Sequence, residues 1–275
     1  MKKLLPLTTI LIFTIMVAFP QSSDLISEYR AKAKSAVEDS DFTTAVSYYE
    51  KLIELQIQAY GEKSAELATI YNDLGEVYYN NLGDYDRALS YYGKALDIRL
   101  KLFGENHADV AKSYTNIGLV YEKKCDYDRA LEYYERALNI HLNVLGENHL
   151  DTAESYNNIG LVYGKKCDYD RALEYFEKSL KIRLNISGEN HLDTATVYNN
   201  IGLVYEKKCD YDRALEYFEK SLKIRLNISG ENHLDTAESY NNIGLVYEEK
   251  CDYDKALEYY EKALKIRLNI SGENH

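Results

Sequence analysis

Along most of this chain, apolar residues recur every three or four positions among polar ones, which is the period of an amphipathic helix. In residues 149–190, two successive stretches carry apolar residues three or four positions apart, which places them on one face of a helix. The first stretch carries Ala153, Tyr156, Ile159 and Tyr163, and the second carries Ala172, Leu173, Phe176, Leu180 and Leu184. No stretch shows the two-residue alternation of a strand. The pattern therefore predicts an all-α fold built from pairs of antiparallel helices.

This two-helix pattern repeats every 42 residues. The tetrad Gly-Glu-Asn-His recurs at that period, first at Gly104–His107 and last at Gly272–His275, and blocks 149–190 and 191–232 differ at only three positions. A fixed period of this length is typical of a solenoid, in which each repeat buries its apolar face on its neighbours. The sequence therefore predicts a solenoid of antiparallel helix pairs.

Several residues of the repeat indicate where its helices begin and end. Gly146 ends the preceding helix, and Asp151 is the expected N-cap of the next one, with Glu154 completing a capping box. Gly160 lies inside the first helix, where glycine is unfavourable, so we expect a second helix to pass too close for a side chain. Cys167 is expected to be a half-buried residue that closes the turn.

The repeat resembles the tetratricopeptide repeat. That family places an aromatic residue, Leu-Gly and Tyr in its first helix and Ala, an aromatic residue and Ala in its second. The matching residues in one copy are Tyr114, Ile117, Gly118, Tyr121, Ala130, Tyr134 and Ala137. The 42-residue period and the Gly-x-x-His-x-Asp-x-Ala junction at Gly146–Ala153 resemble the repeats of kinesin light chains. The resemblance implies an all-α, right-handed superhelical solenoid of antiparallel helix pairs that binds a peptide or cargo.

The pattern divides the chain into a leader and six repeats. Residues 1–23 are expected to be a signal peptide or N-terminal anchor, and residues 24–61 a degenerate first repeat. Residues 62–275 hold five further repeats, at about 64–104, 107–146, 149–188, 191–230 and 233–272. The second copy carries a one-residue insertion near residues 81–83.

The leader and the charge balance bear on location and partners. Lys2 and Lys3 precede an apolar run from Leu4 to Phe19, which favours export to the periplasm, the exterior or the outer side of a membrane. Four cysteines without a pairing pattern suit a reducing compartment, so a cytoplasmic location remains the alternative. The net charge is −12 and no basic stripe occurs, which argues against nucleic-acid binding.

No catalytic, metal-binding or cofactor-binding fingerprint occurs in the sequence. The four cysteines lie one repeat apart and are not clustered as zinc ligands. The junction histidines also recur once per repeat, so we interpret each as a loop residue beside a helix cap. The tyrosines of the first helices are interpreted as packing between helices. We therefore expect a protein that is not an enzyme and uses no cofactor.

A candidate binding surface follows the first helices. The family resemblance implies that these helices line the concave face, and a polar residue just after the first aromatic points into it. A ladder of carboxamides there could bind an extended peptide backbone, with leucines forming apolar pockets and lysines setting charge preference. The predicted groove residues are Asn72, Thr115, Asn157, Asn199, Asn241, Leu119, Leu161, Leu203, Leu245, Lys123, Lys165 and Lys207.

Three functional hypotheses follow. The first is a non-enzymatic scaffold that binds a protein or peptide in the groove. The second is the sensor or regulatory part of a larger protein with an effector domain beyond His275. The third is a structural array that self-associates through the uncapped last repeat, whose apolar residues include Leu257, Tyr260 and Leu264.

Overall fold

The computed structural model describes the backbone of residues 7–272 and the side chains of residues 23–272. All regular secondary structure in this part of the chain is helical, with no strand. The helices are α1 (Leu7–Glu38), α2 (Phe42–Tyr60), α3 (Ala65–Glu76), α4 (Tyr85–Phe103), α5 (Ala108–Lys123), α6 (Tyr127–Val144), α7 (Leu150–Lys165), α8 (Tyr169–Ile186), α9 (Leu192–Lys207), α10 (Tyr211–Ser229), α11 (Leu234–Glu249) and α12 (Tyr253–Gly272). The predicted all-α class is confirmed.

The helices pack as consecutive antiparallel pairs, which fall into two compact units. In residues 1–126, α1 packs on α2 and α3 on α4, while α2 also contacts α3 and α4 contacts α5. In residues 127–275, the pairs are α7–α8, α9–α10 and α11–α12, and each second helix also contacts the first helix that follows it. This is the nearest-neighbour packing of a repeat array.

The junction histidine, not the aspartate, caps the first helix of each later repeat. At α7, His149 has extended backbone angles and its Nδ1 accepts a hydrogen bond from the Asp151 backbone N–H at 3.1 Å. His107, His191 and His233 cap α5, α9 and α11 in the same way. The prediction of Asp151 as N-cap with Glu154 as its capping-box partner is therefore wrong. Asp151 lies inside the first turn, where its carboxylate complements the helix dipole.

The second helices begin as the sequence predicts. The Asp168 carboxylate caps α8 by accepting a hydrogen bond from the Arg171 backbone N–H. Asp84 and Asp210 cap α4 and α10 in the same way. Beyond the far end of α8, Gly188 has a φ of +81°, a left-handed conformation that glycine adopts without strain.

The cysteines occupy the turn between paired helices in a left-handed conformation. Cys125, Cys167, Cys209 and Cys251 have φ between 57° and 59°, and all four are free thiols on the surface. The expectation of half-buried residues is wrong, because the turn directs the side chain outward. Gly83 holds this place in the second repeat with a φ of 64°, and Ser40 holds it in the first with a φ of 60°.

The helical glycines mark where the two helices of a pair come closest. A Cβ added to Gly160 would lie 2.8 Å from the Cδ1 and Cε1 atoms of Phe176, which is fully buried in α8. A Cβ added to Gly202 would lie 2.7 Å from the Phe218 ring, and one added to Gly244 would lie 2.8 Å from the Tyr260 ring. A Cβ added to Gly75 would lie 2.7 Å from the Tyr92 ring. The predicted close approach is confirmed at these four positions.

Tyrosines pack between the two helices of each pair, as predicted. In the α7–α8 pair, the Tyr175 ring stacks on Tyr163 at 5.5 Å and lies 6.0 Å from Tyr156. The guanidinium of Arg171 lies 4.4 Å from the Tyr163 ring centre, within cation–π range. The pairs α9–α10 and α11–α12 repeat this stack.

The one-residue insertion of the second repeat widens a helical turn. Val77–Leu82 form a π-helical segment between α3 and Gly83. Such segments accommodate one extra residue without ending the helix. The insertion therefore leaves the α3–α4 pair intact.

The predicted leader falls almost wholly on residues whose side chains the structure does not describe. Among the residues that the structure describes, no helix is both long and apolar enough to cross a membrane. The side chains of residues 1–22 are not described, so the signal peptide or anchor predicted over residues 1–23 stays a prediction.

Candidate peptide-binding surface of the first helices

Each later first helix carries a stripe of side chains spaced four residues apart, and residues at that spacing share one helix face. In residues 127–275 the three stripes are Asn157, Leu161 and Lys165 on α7; Asn199, Leu203 and Lys207 on α9; and Asn241, Leu245 and Glu249 on α11. Each stripe passes from carboxamide to apolar to charged chemistry. The last stripe ends in an acid where the other two end in a base.

Hydrogen bonds between asparagines join these stripes sideways. The Asn200 Nδ2 atom donates to Asn157 Oδ1 at 3.0 Å, and Asn242 Nδ2 donates to Asn199 Oδ1 at the same distance. Asn199 is only 5% exposed. The ladder therefore exists, but it fixes one first helix beside the next and uses its carboxamide oxygens to do so.

The sequence reasoning missed the donor asparagines, of which Asn200 and Asn242 are second in an Asn-Asn doublet and Asn116 follows Thr115. Asn116, Asn200 and Asn242 are the donors that link the repeats. The signal was the doublet itself, since a single groove residue does not require an asparagine beside it.

The ladder in residues 1–126 has a more acidic character. Asn116 Nδ2 donates to Asn72 Oδ1 at 2.8 Å, and Asn72 Nδ2 donates to Glu76 Oε1 at 2.8 Å. Asn72 is 2% exposed, so a ligand would have little access to it. Glu76 stands where the later repeats have leucine. Burial and, to a smaller extent, the nearby Glu76 carboxylate raise the pKa of Asp73. On α5, the Thr115 hydroxyl donates to the Ala111 carbonyl within its own helix.

The leucines and lysines of the predicted groove remain accessible. Leu119, Leu161 and Leu203 are half-buried, whereas Leu245 is 39% exposed. The side chains of Lys123, Lys165 and Lys207 are exposed. A hydrogen bond from Lys207 to Glu206, at 3.1 Å, raises the pKa of that lysine. Apolar and cationic groups are thus available for contact with a ligand on these helices.

Buried basic residues fix the spacing between successive pairs. The Arg225 guanidinium at the end of α10 donates to the Asp235 carbonyl at 2.8 Å and to Ser239 Oγ at 2.9 Å on α11. At the junction before, Val197 replaces the serine, and Arg183 forms an ion pair with Asp193 instead. These buried contacts hold the stripes in register.

His141 takes the arginine position at one junction of residues 127–275. Its Nδ1 lies 2.8 Å from Ser155 Oγ, and burial lowers the pKa of its imidazole below the usual value of 6.5. This junction therefore uses a neutral ring where the others use a permanent cation.

Lysines at the turns add a second link between repeats. Lys166, Lys208 and Lys250 form ion pairs with Asp128, Asp170 and Asp212 of the preceding repeat. The Lys208–Asp170 and Lys250–Asp212 pairs each lie beside an exposed cysteine in a shallow surface cleft. Among the described residues, no group of three or more His, Cys, Asp or Glu side chains is arranged to hold a metal ion.

Comparison with known proteins identifies the repeat. The sequence profile of the Tetratricopeptide repeat matches residues 27–101, 78–143, 109–185, 151–227 and 193–269. Comparison with curated proteins gives no match.

Solved structures share the fold at low sequence identity. The crystal structure of BtubC (BKLC) from P. vanneervenii has a TM-score of 0.69 and 24% identity, covering 94% of this chain and 92% of that one. A putative kinesin light chain from Podosopora anserina, with nearly identical TPR-like repeats, has a TM-score of 0.64 and 17% sequence identity. The match covers 76% of this chain and 98% of that one. Aspartyl phosphate phosphatase F from Bacillus subtilis has a TM-score of 0.70 and 15% sequence identity, and the match covers 96% of this chain and 76% of that one. These similarities describe the fold.

Proposed function

Because this chain belongs to the tetratricopeptide-repeat family, we propose that it is a non-enzymatic scaffold that binds an extended peptide or protein segment along its first helices. The fold is typical of protein-interaction scaffolds. The observation that carries the proposal is the set of three parallel stripes on α7, α9 and α11, joined by the asparagine bonds Asn157–Asn200 and Asn199–Asn242.

The chemistry of the stripes suits an extended chain. Asn157 is half-buried, and after its oxygen accepts the bond from Asn200 it still carries amide N–H donors, which can bind backbone carbonyls of any sequence. Leu161, Leu203 and Leu245 offer apolar contacts for alternate side chains of the ligand. Lys165 and Lys207 would favour acidic residues at one end, and Glu249 a basic residue at the other.

The ladder also supplies preorganisation. A ligand that binds a surface already fixed by buried Arg225 and Arg183 does not have to order it, so less conformational entropy is lost on binding. This suits a rigid repeat array better than an enzyme site, which would need a concentrated group of reactive side chains.

Selection from a random-peptide display library tests the proposal. Selected peptides would be measured by fluorescence anisotropy against the parent chain and the charge-reversed pair Lys165→Glu and Lys207→Glu, two exposed residues whose replacement leaves the asparagine bonds intact. We expect affinity to fall about tenfold or more.

The matched control is Lys181→Glu with Lys223→Glu, which places the same charges on exposed positions of α8 and α10. This control should bind like the parent. Equal binding by the groove pair and the control pair would contradict the proposal, and so would failure to select any peptide.

We also propose self-association as a second function. The observation that favours it is the apolar outer face of α12, where Leu257, Leu264 and Leu268 are exposed. Isolated exposed leucines are ordinary, but three on one helix face resemble an interface.

An exported location is likewise proposed from the sequence of residues 1–23. N-terminal sequencing of the mature protein, together with cell fractionation, tests it. A mature protein that starts near residue 23 outside the cytoplasm would support export, and an intact N-terminus in the cytoplasm would contradict it.

A further inference from the structure

Two shallow clefts lie where successive turns meet in residues 127–275, and they share the same chemistry. The first is lined by Tyr169 and by the ion pair between Lys208 and Asp170. The second repeats this arrangement one repeat later, with Tyr211. Both tyrosines are half-buried. Each of these turn clefts therefore presents an aromatic ring beside an ion pair whose charges already balance.

The turn clefts adjoin the charged ends of the stripes on α9 and α11. The Tyr211 hydroxyl donates a hydrogen bond to Glu249 Oε2 at 3.4 Å. A hydrogen bond with Cys167 raises the pKa of Tyr169, and the nearby Lys207 acts in the opposite direction. A row of aromatic rings and a row of charges thus run side by side along one edge of these repeats.

The distance between repeats sets the period of a ligand that meets both rows. Asn200 donates to Asn157 and Asn242 donates to Asn199, each at 3.0 Å, so neighbouring first helices are in direct contact. Helices in contact lie about 8–10 Å apart. A polyproline II helix presents the same face every three residues, or about 9 Å. A β-strand presents one face every two residues, or about 7 Å, and loses register over three repeats.

An α-helical ligand matches the spacing but not the chemistry. Seven residues of α-helix advance about 10.5 Å, yet the carbonyls are bonded within the helix. A polyproline II backbone has no internal hydrogen bonds, so its carbonyls can accept from the exposed Lys165 and Lys207 ammonium groups. Its proline rings suit aromatic-lined grooves. The turn clefts and the lysines together therefore favour polyproline II.

Charge adds an order to this period. The stripes on α7, α9 and α11 end in Lys165, Lys207 and Glu249, and all three side chains are exposed. A complementary segment carries an acidic residue opposite each lysine and a basic residue opposite the glutamate, three positions apart. Complementary charges of this kind select the partner and its register.

We propose that the partner is a proline-rich segment in the polyproline II conformation, with one proline in each turn cleft. Two acidic residues and then a basic residue, three positions apart, face Lys165, Lys207 and Glu249. This inference rests on the proposed function, peptide binding along the first helices, and names the class of ligand and its register. It also adds Tyr169 and Tyr211 to the binding surface.

Synthetic peptides of one composition test the register. Pro-Glu-Ala-Pro-Glu-Ala-Pro-Lys-Ala and its reversed sequence carry prolines three residues apart and cover both chain directions. Their counterparts group the three prolines together and keep every other residue. Fluorescence anisotropy of the labelled peptides with the full chain measures affinity. We expect one of the spaced peptides to bind at least about tenfold more tightly than its grouped counterpart.

Substitution of the tyrosines locates the binding. Tyr169→Leu with Tyr211→Leu removes both aromatic rings and keeps an apolar side chain at each position. This pair should weaken binding of the spaced peptide by about tenfold or more. Ile186→Ala with Ile228→Ala is the matched control, because these exposed residues lie at the opposite ends of α8 and α10. The control pair should bind like the parent, and circular dichroism should show unchanged helicity throughout.

The native thiols give a readout that needs no substitution. Cys167 and Cys209 line the two turn clefts as exposed free thiols. Their alkylation by iodoacetamide can be followed residue by residue with mass spectrometry. A spaced peptide should slow alkylation at both thiols in proportion to the fraction of protein bound, and a grouped peptide at the same concentration should slow it far less.

Each negative result has a distinct meaning. Equal binding of spaced and grouped peptides, or no binding of either, would reject the three-residue register. Unchanged alkylation of Cys167 and Cys209 would reject the turn clefts, and tighter binding of a helical peptide built from Glu-Ala-Ala-Ala-Lys units would indicate a helical partner. In these cases library-selected peptides that depend on Lys165 and Lys207 would still support peptide binding. Failure of both the designed and the selected peptides would contradict the proposed function as well.

Discussion

Gly160→Ala should destabilise the protein even though alanine is the better helix former. The new Cβ would lie 2.8 Å from the Cδ1 and Cε1 atoms of Phe176, and Phe176 is 1% exposed, so its ring has no free space to enter. Gly164 lies four residues later in the same helix, and a Cβ there meets no atom within 4 Å. Both glycines lie in α7 and differ in the packing around them, and Gly164 also lies in the last turn of the helix.

The magnitude follows from two opposing terms. Alanine in place of glycine stabilises a helix interior by about 1 kcal/mol. Overpacking of a tight core costs about 1–3 kcal/mol. We expect Gly160→Ala to lower the free energy of unfolding by up to about 2 kcal/mol, while Gly164→Ala, in the last turn of α7, raises it by at most about 1 kcal/mol.

Thermal unfolding followed by circular dichroism measures both variants, and each kcal/mol should shift the midpoint by about 2–4 °C in a chain of this size. Phe176→Leu provides a further arm, because removal of the ring should reduce the cost of Gly160→Ala and give a favourable coupling energy. Equal stabilisation by Gly160→Ala and Gly164→Ala would refute the close-approach argument.

Three further predictions follow from the turns and junctions. Cys167→Gly should raise the unfolding midpoint, because relief of about 1–2 kcal/mol of left-handed strain exceeds the roughly 0.5–1 kcal/mol of added chain entropy, whereas Cys167→Ser should leave it unchanged; a lower midpoint for the glycine variant would oppose this. The depressed pKa of His141 means that its contribution to stability is complete above pH 6.5, the ordinary pKa of histidine, and is lost as pH falls below that value through its folded pKa. The thermal unfolding midpoint of His141→Arg should therefore fall less than that of the parent when the pH is lowered from 7.5 to 5. Equal falls in the two proteins would contradict this role of His141. His149→Ala should cost about 1 kcal/mol by removing the cap of α7, while His149→Ser should retain most of it, because Ser64 already caps α3; thermal midpoints of the two variants compare them.

The sequence predicts those features that depend on spacing along one helix. The helix pairs and the close approach at Gly160 follow from apolar periodicity and from a glycine that recurs where glycine is unfavourable. The tyrosine packing follows for the same reason, since Tyr156 and Tyr163 share the apolar face of α7. Each of these features recurs once per repeat, so an argument made for one repeat applies to the others.

The errors concern backbone angles and lateral register, which spacing does not reveal. Histidine is an unusual N-cap, and only the extended backbone at His149 distinguishes it from Asp151. The left-handed turn at Cys167 could have been inferred from Gly83, which holds the same place in the second repeat. The bond from Asn200 to Asn157 depends on how two helices lie side by side, so the sequence offered only the Asn-Asn doublet as a sign.

Site-specific photocrosslinking tests peptide binding along the first helices most directly. A benzophenone amino acid would be placed at Leu203, on the central stripe, and in a separate protein at Ile228, an exposed residue near the end of α10. A library-selected peptide should crosslink at position 203 and not at position 228. Crosslinking at position 228 with none at position 203 would contradict the proposed binding surface.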